Sequence, residues 1–193
     1  MTRARRTAPA DVVVEHEIDL PPEATLAVVA DTHSHPHGKL PEQLEALAPA
    51  AILHAGDIGD RAVLADLAAV APLYAVRGNI DPRGHRDTPD VAVLRLRQGE
   101  RNLTVTLTHI AVRGARLLPP ARGLVATHRP GLLICGHSHV PLLVRDCGTV
   151  VFNPGSVGPR RFNLPITYGL LRFGANGLSI GHVNCETGAP WAP

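Results

Sequence analysis

Short, unbroken apolar runs recur along this chain, and the segments between them change period. Leu26-Ala27-Val28-Val29, Ala51-Ile52-Leu53 and Leu73-Tyr74-Ala75-Val76 each read as a strand covered on both faces. Between them, Glu42 to Ala48 has helical spacing with Pro41 at a first helical position, and a second amphipathic stretch runs from Asp60 to near Pro72. Strand alternating with helix predicts βαβ units and parallel pairing. Ahead of them, Val12-Val13-Val14 passes into Glu15, His16, Glu17 and Ile18 with period two, which predicts a half-exposed strand ended by Pro21-Pro22. The second half is richer in strands. Leu103 to Leu107 alternates with Thr104, Thr106 and Thr108, and a helical segment around Ala121 to Thr127 leads into Leu132-Leu133-Ile134-Cys135. Thr149 to Phe152, Ile166 to Phe173 and Leu178 to Val183 come next as strands, the last two split by the turn Gly174-Ala175-Asn176-Gly177. The pattern predicts one α/β domain over residues 25–193, its later strands mixed or antiparallel. Residues 1–24 read as an N-terminal extension that could supply an edge strand.

Composition adds little to this picture until histidine. A chain of 193 residues with 45% hydrophobic and 19% charged residues suits a single globular domain. A formal charge of +2 and 3% aromatics indicate neither a nucleic-acid surface nor a base-stacking platform. No apolar run reaches the roughly 18 residues of a membrane span. Arg3, Arg5 and Arg6 are followed by no apolar stretch that would make a secretory signal. Cys135, Cys147 and Cys185 lack metal-knuckle spacing, so a reduced, cytoplasmic protein is the expectation. The 11 histidines are the anomaly, because many stand at particular places.

The residues just after each apolar run carry the chemistry. The first run ends in Asp31-Thr32-His33, the second in His54-Ala55-Gly56-Asp57 and the third in Gly78-Asn79-Ile80-Asp81. Later runs end at Thr108-His109, Gly136-His137-Ser138-His139 and Asn153-Pro154-Gly155-Ser156. Ligands of open α/β sheets bind beyond the carboxyl ends of the strands, so these elements deliver Asp, His and Asn toward one rim. Glycines before Asp57, Asn79 and His137 allow sharp turns and close backbone approach. Singly, a Gly-Asp pair is a turn and an Asp-x-His a cap. Their joint order is what points to a metal site.

Asp31-Thr32-His33, Gly56-Asp57, Gly78-Asn79 with Asp81, His109 and Gly136-His137-Ser138-His139 together resemble the calcineurin-like metallophosphoesterase family. Asn153-Pro154-Gly155-Ser156 resembles a segment of its small phosphodiesterase-like members, and the likeness spans nearly all of residues 26–183. It implies two mixed β-sheets packed as a sandwich flanked by helices, with a binuclear metal centre at one edge. Carried over by position, one metal takes Asp31, His33, Asp57 and His139, and the other Asp57, Asn79, His109 and His137, so that Asp57 bridges. Two cations about 4 Å apart need a shared anion, which a carboxylate supplies. Mixed imidazole and oxygen ligands suit Mn first, with Fe, Zn, Co or Ni as alternatives. The resemblance further implies a small phosphoester substrate, most readily a phosphodiester, attacked in line by a hydroxide between the metals.

Asp57, Asn79 and Asp81 are the catalytic expectation, Asp81 either taking part or only orienting its loop. Many family members carry a His directly after the Asn, thought to protonate the leaving oxygen, and here that residue is Ile80. His35, His37 and His85 are the candidate substrate-side residues, solvated loop positions being the blander reading. With Asp31 and His33, His35 and His37 also resemble the entry motif of the polymerase-and-histidinol-phosphatase metal hydrolases, a family that would not predict Gly78-Asn79 or the Gly-His-Ser-His segment. His54 reads as packed behind the site, Arg83 and Arg86 as solvated or phosphate-facing, and Cys135 as core. A non-catalytic scaffold, like the retromer subunit that looks like this family, is the alternative function. A homo-oligomer joined through an apolar edge such as Val12 to Val14 is also compatible with the pattern.

Overall fold

The computed structural model describes residues 11–192, and the basic tip with Arg3, Arg5 and Arg6 lies outside them. In chain order the first half holds β1 (Val13–Asp19), β2 (Ala24–Val29), α1 (Leu40–Leu47), β3 (Ala51–His54), α2 (Ala62–Val70), β4 (Leu73–Ala75) and β5 (Val91–Gln98). Then come β6 (Arg101–Thr108), β7 (Val112–Arg113), β8 (Arg116–Leu117), α3 (Pro119–His128) and β9 (Leu132–Ile134). The chain ends in β10 (Leu142–Asp146), β11 (Thr149–Asn153), β12 (Thr167–Gly174), β13 (Gly177–Asn184) and β14 (Pro190–Trp191). Among the described residues no helix is long and apolar enough to cross a membrane.

Two six-stranded mixed sheets form the body, ordered β1-β5-β6-β9-β11-β10 and β14-β13-β12-β2-β3-β4. The short β2 and β3 runs pair in parallel, as do β3 and β4, which is what the strand–helix alternation predicts. In the other sheet β6, β9 and β11 are parallel neighbours as well. Each sheet therefore sends three parallel strands toward the same rim. Antiparallel pairs surround them: β5 with β6, β10 with β11, and β12 with both β2 and β13.

Period-two geometry explains why these strands read as continuous apolar runs. On β2, Leu26 and Val28 face the sandwich centre with Leu94, Val105, Leu107, Ile134 and Phe152. The intervening Ala27 and Val29 face Leu40 and Leu44 of α1 and Val63 and Leu67 of α2. Leu133 and Val151 face the other way, against Ala121 of α3 and Leu117 of β8, and Cys135 joins them as core. The result is a sandwich with helices outside. Truncating Leu26 or Leu107, both fully buried, should cost about 2–5 kcal/mol through lost transfer energy and the cavity left behind.

The half-exposed strand expected before Pro21 is β1, which pairs in parallel with β5 at the edge of its sheet. Ile18 and Leu20 turn inward, while Glu15 pairs with Arg95 and Asp19 with Arg97 outside. Such exposed pairs contribute below about 1 kcal/mol each. The sequence pattern passes over β5 because neither period fits it throughout. Val91 to Leu94 is buried without a break, and only then does exposure alternate through Arg95 and Arg97.

Candidate metal centre

Five loops converge where the two sheets share an edge. Asp31 and His33 follow β2, Asp57 follows β3, Asn79 follows β4, His109 follows β6, and His137 and His139 follow β9. Donor atoms of Asp31, His33 and His139 lie within 4.8 Å of one another, and so do those of Asp57, His109 and His137. In the first group His33 Nε2 is 3.2 Å from His139 Nε2, which lies 3.4 Å from Asp31 Oδ1. In the second, His109 Nε2 is 3.2 Å from Asp57 Oδ1. Asn79 Oδ1 joins that group, 2.9 Å from His137 Nδ1 and 3.2 Å from His109 Nε2. Asp57 touches both groups, because its Oδ2 lies 3.7 Å from His33 Nε2.

The backbone is bent to make this possible. Asp31, His33, Asp57, His137 and His139 have φ of 56°, 46°, 53°, 71° and 59°, in the left-handed region that costs a non-glycine residue about 1–3 kcal/mol. Two glycines let the loops close on one another. A Cβ on Gly78 would come within 2.1 Å of Asp57 N and Oδ1, and one on Gly136 within 2.9 Å of Asp31 Oδ2.

Behind the donors a buried polar layer fixes the loops. His54 is fully buried; Gly56 N–H donates to its Nδ1, so its Nε2 carries the proton and donates to Thr32 Oγ1. Thr32 in turn donates to Ile58 O, tying the β2 and β3 loops together. Burial holds His54 down at about 4, so it stays neutral. Asn153 donates to Gly136 O and Ser138 Oγ, and Ser156 donates to Asp31 O. That is the structural use of the Asn-Pro-Gly-Ser segment.

The two donor groups differ electrically. Burial is the main cause that raises the Asp31 carboxyl to about 7. Burial also pushes Asp57 upward, but the hydrogen bond and charge of His109 outweigh it and hold that carboxyl at about 2. Burial lowers His109, and Asp57 and Asp31 more than reverse this, so the imidazole lies above its ordinary value. His139 falls to about 4, first through burial and then through the charges of Arg161 and His33.

The donor chemistry fits divalent cations. His109 Nδ1 lies 2.7 Å from Ala55 O, which can only accept, so that nitrogen carries the proton. In the neutral imidazole its Nε2 lone pair faces Asp57 Oδ1 and Asn79 Oδ1, two further acceptors, so that nitrogen needs either a proton or a cation. His33 and His139 likewise turn Nε2 toward each other beside the Asp31 carboxylate. Acceptors converging on acceptors, in a mostly buried site, are matched by a cation at their centre.

Other expected residues fall elsewhere. Asp81 is not aimed at the donors. Its buried carboxylate accepts from the N–H groups of Ile58, Gly59 and Gly78, so it holds the β3 and β4 loops in register, as the loop-orienting alternative expects. His37 is turned away, its Nδ1 accepting from Lys39 N–H and lying 3.7 Å from Cys185 Sγ. His35 and His85 are exposed and form no hydrogen bond to the donor groups among the described residues. Ile80 is half exposed, and its backbone N–H donates to Asp57 Oδ1. Arg161, which no spacing singled out, stands 3.2 Å from His33 Nε2 through its Nη2.

Known proteins share this fold. The calcineurin-like phosphoesterase superfamily domain matches residues 25–176. A probable metallophosphoesterase of Methanothermobacter thermautotrophicus is 29% identical over 174 residues, covering 86% of this chain and 94% of that protein. Another, from Methanocaldococcus jannaschii, is 30% identical over 138 residues, covering 68% of this chain and 67% of that protein. The crystal structure of wild-type Vps29 complexed with Zn²⁺ from Entamoeba histolytica superposes with a TM-score of 0.66 at 20% identity, over 86% of this chain and 96% of that one. With the family domain spanning most of its length, the chain belongs to the calcineurin-like phosphoesterase superfamily.

Proposed function

We propose that the protein is a binuclear metal-dependent phosphoesterase that prefers phosphodiesters. The observation that carries this reading is Asp57, whose two carboxylate oxygens reach toward separate donor groups. Asp31, His33, His139 and Asp57 would hold one divalent ion, and Asp57, Asn79, His109 and His137 the other, Mn²⁺ being the first candidate. When bound, such ions supply Lewis acidity and an acidified water.

The remaining tasks fall to this chain's own residues. Ala55 O fixes the His109 tautomer, and the Gly78, Ile58 and Gly59 amides anchor Asp81 behind the bridge. The side chain of Ile80 has no proton to give where a general acid would stand. The departing oxygen then leaves with nearly full negative charge, so substrates with acidic leaving groups should be favoured. Monoesters would ask for the same departure from a more highly charged substrate.

Likeness to Vps29, a vacuolar protein sorting protein, favours a second reading as a protein-binding scaffold. All positions of the donor set are filled by ligand-competent residues, which favours catalysis. A panel of aryl and alkyl diesters, monoesters, cyclic nucleotides and oligonucleotides, run on Mn²⁺-loaded protein, tests the proposal. Diester turnover that disappears on chelation and returns with metal supports it. No turnover of any ester by fully metal-loaded protein would leave the scaffold reading.

A further inference from the structure

The loop from Gly158 to Pro165 runs along the rim beside the first donor group, and its two ends are fixed. Gly158 N–H donates to Ser156 Oγ, and a Cβ on Gly158 would lie within 2.2 Å of Asp31 O. Arg160 donates to Leu164 O at 2.7 Å and pairs with Glu186 at 2.5 Å, so it is turned outward and spent on holding the loop. Its neighbour Arg161 is turned inward. Arg161 Nη2 stands 3.2 Å from His33 Nε2, on the opposite side of the Asp57 bridge from Asn79 and His109. Among the described residues Arg161 has no carboxylate partner, although the rest of its loop is anchored.

A free guanidinium over a cation-binding donor set is an electrostatic conflict. Any cation held by Asp31, His33 and His139 would be repelled by it, more strongly the lower the local dielectric. An anion placed between them replaces this repulsion with two attractions. The planar, forked donors of guanidinium match two oxygens of one tetrahedral group, which a lysine at this position would not do.

We propose that Arg161 is a phosphoryl-binding residue of this site, taking non-bridging oxygens of the ester from the side opposite Ile80. The assignment rests on the phosphoesterase reading for its ligand class. Because guanidinium does not deprotonate in proteins, Arg161 serves binding and charge neutralisation and does not replace the missing acid. A single arginine between Arg160 and an exposed Phe162 carries no spacing signal, and only the fold brings it over the donors.

The test is calorimetric titration of inorganic phosphate into Mn²⁺-loaded wild type, R161A and R161K, with elemental analysis of the same samples. R161A should bind phosphate about ten- to a hundred-fold more weakly, as expected for loss of charged hydrogen bonds, with its metal content unchanged. R161K should recover part of the loss. Unaltered phosphate affinity in metal-replete R161A would overturn the assignment. So would a loss of metal from R161A, which would make Arg161 a support for His33, or a wild type that binds no phosphate. Kinetics separates this inference from the proposed function. Phosphate binding through Arg161 without turnover of any ester would leave the anion site standing and remove the enzymatic reading. Ester hydrolysis with the same KM in wild type and R161A would remove Arg161 alone.

Discussion

The first donor group and the second are built from the same residue types at the same rim, yet they handle charge in opposite ways. In the second, Asp57 and His109 compensate each other, the carboxyl held at about 2 and the imidazole raised. In the first, Asp31 is fully buried and reaches about 7, while the His33 and His139 of its group are weakened as bases. The second group is thus an internally neutralised pair that a cation joins. The first is a buried carboxyl whose ionised form is disfavoured by burial and would be favoured by a cation. Asp57 makes the two groups one centre, because it is the carboxylate within reach of both.

The largest expected effect comes from breaking that link. Asp57→Asn keeps the shape and removes the shared charge. Metal-centred stabilisation of several kcal/mol should be lost, so turnover of an aryl diester should fall by about a thousand-fold or more in initial-rate assays. Retention of most of the activity would contradict the sharing.

Next in size is the acid that Ile80 does not provide. A positioned general acid contributes about 10² to 10⁴ in rate. Wild type should therefore show a steep dependence of rate on leaving-group pKa. Ile80→His, half exposed beside Asn79, should raise alkyl diester turnover by up to that factor and change aryl diesters little. A leaving-group series measured on both proteins checks this. A flat series in the wild type would show that leaving-group protonation does not limit the enzyme.

Glycine substitutions sharpen the contrast between the groups. Gly78→Ala drives a methyl into Asp57, whereas Gly158→Ala presses on Asp31 O at 2.2 Å. Overpacking of this kind costs about 1–3 kcal/mol. Metal analysis should find Gly78→Ala depleted at both positions and Gly158→Ala depleted at one. Equal depletion by the two variants would blur the distinction drawn between the groups.

The smallest effect is on stability in metal-stripped protein. The folded value for Asp31, about 7, lies above the ordinary 3.8, so the folded chain keeps a proton that the unfolded chain gives up. Stability from this group is full below about pH 4 and falls as pH rises through about 7. Asp57 has the reverse sign: its contribution is present above about pH 4 and lost as pH falls toward about 2. Metal-stripped Asp31→Asn should melt several degrees above wild type at pH 8, for a gain of up to about 4 kcal/mol, and by less than half as much at pH 5. Thermal melts at both pH values decide, and a loss of stability at pH 8 would contradict the buried-carboxyl account.

The parts that the sequence made legible share one physical cause. Buried parallel strands must be apolar on both faces, so the first polar residues after Leu26–Val29, Ala51–Leu53 and Leu132–Cys135 stand out as rim residues. Asp81 lies in the same rim segment, yet its carboxylate caps backbone amides. A carboxylate near a metal site and one behind it look alike in a sequence. His35 and His37 continue the Asp-x-His spacing, but the chain turns toward α1 after His33 and takes His37 to Lys39. Arg161 was invisible for the opposite reason, since it reaches the site through a loop with no periodicity. Strand β5 gives no single period because its two halves follow different burial patterns.

Metal stoichiometry tests the central claim most directly. Wild type and Asp57→Asn, purified in parallel, loaded with Mn²⁺, desalted and measured by elemental analysis, should carry close to two ions and at most one ion per chain, respectively, with the fold intact by circular dichroism. Two tightly held ions in Asp57→Asn would show that the two donor groups bind independently and that Asp57 is not their shared ligand.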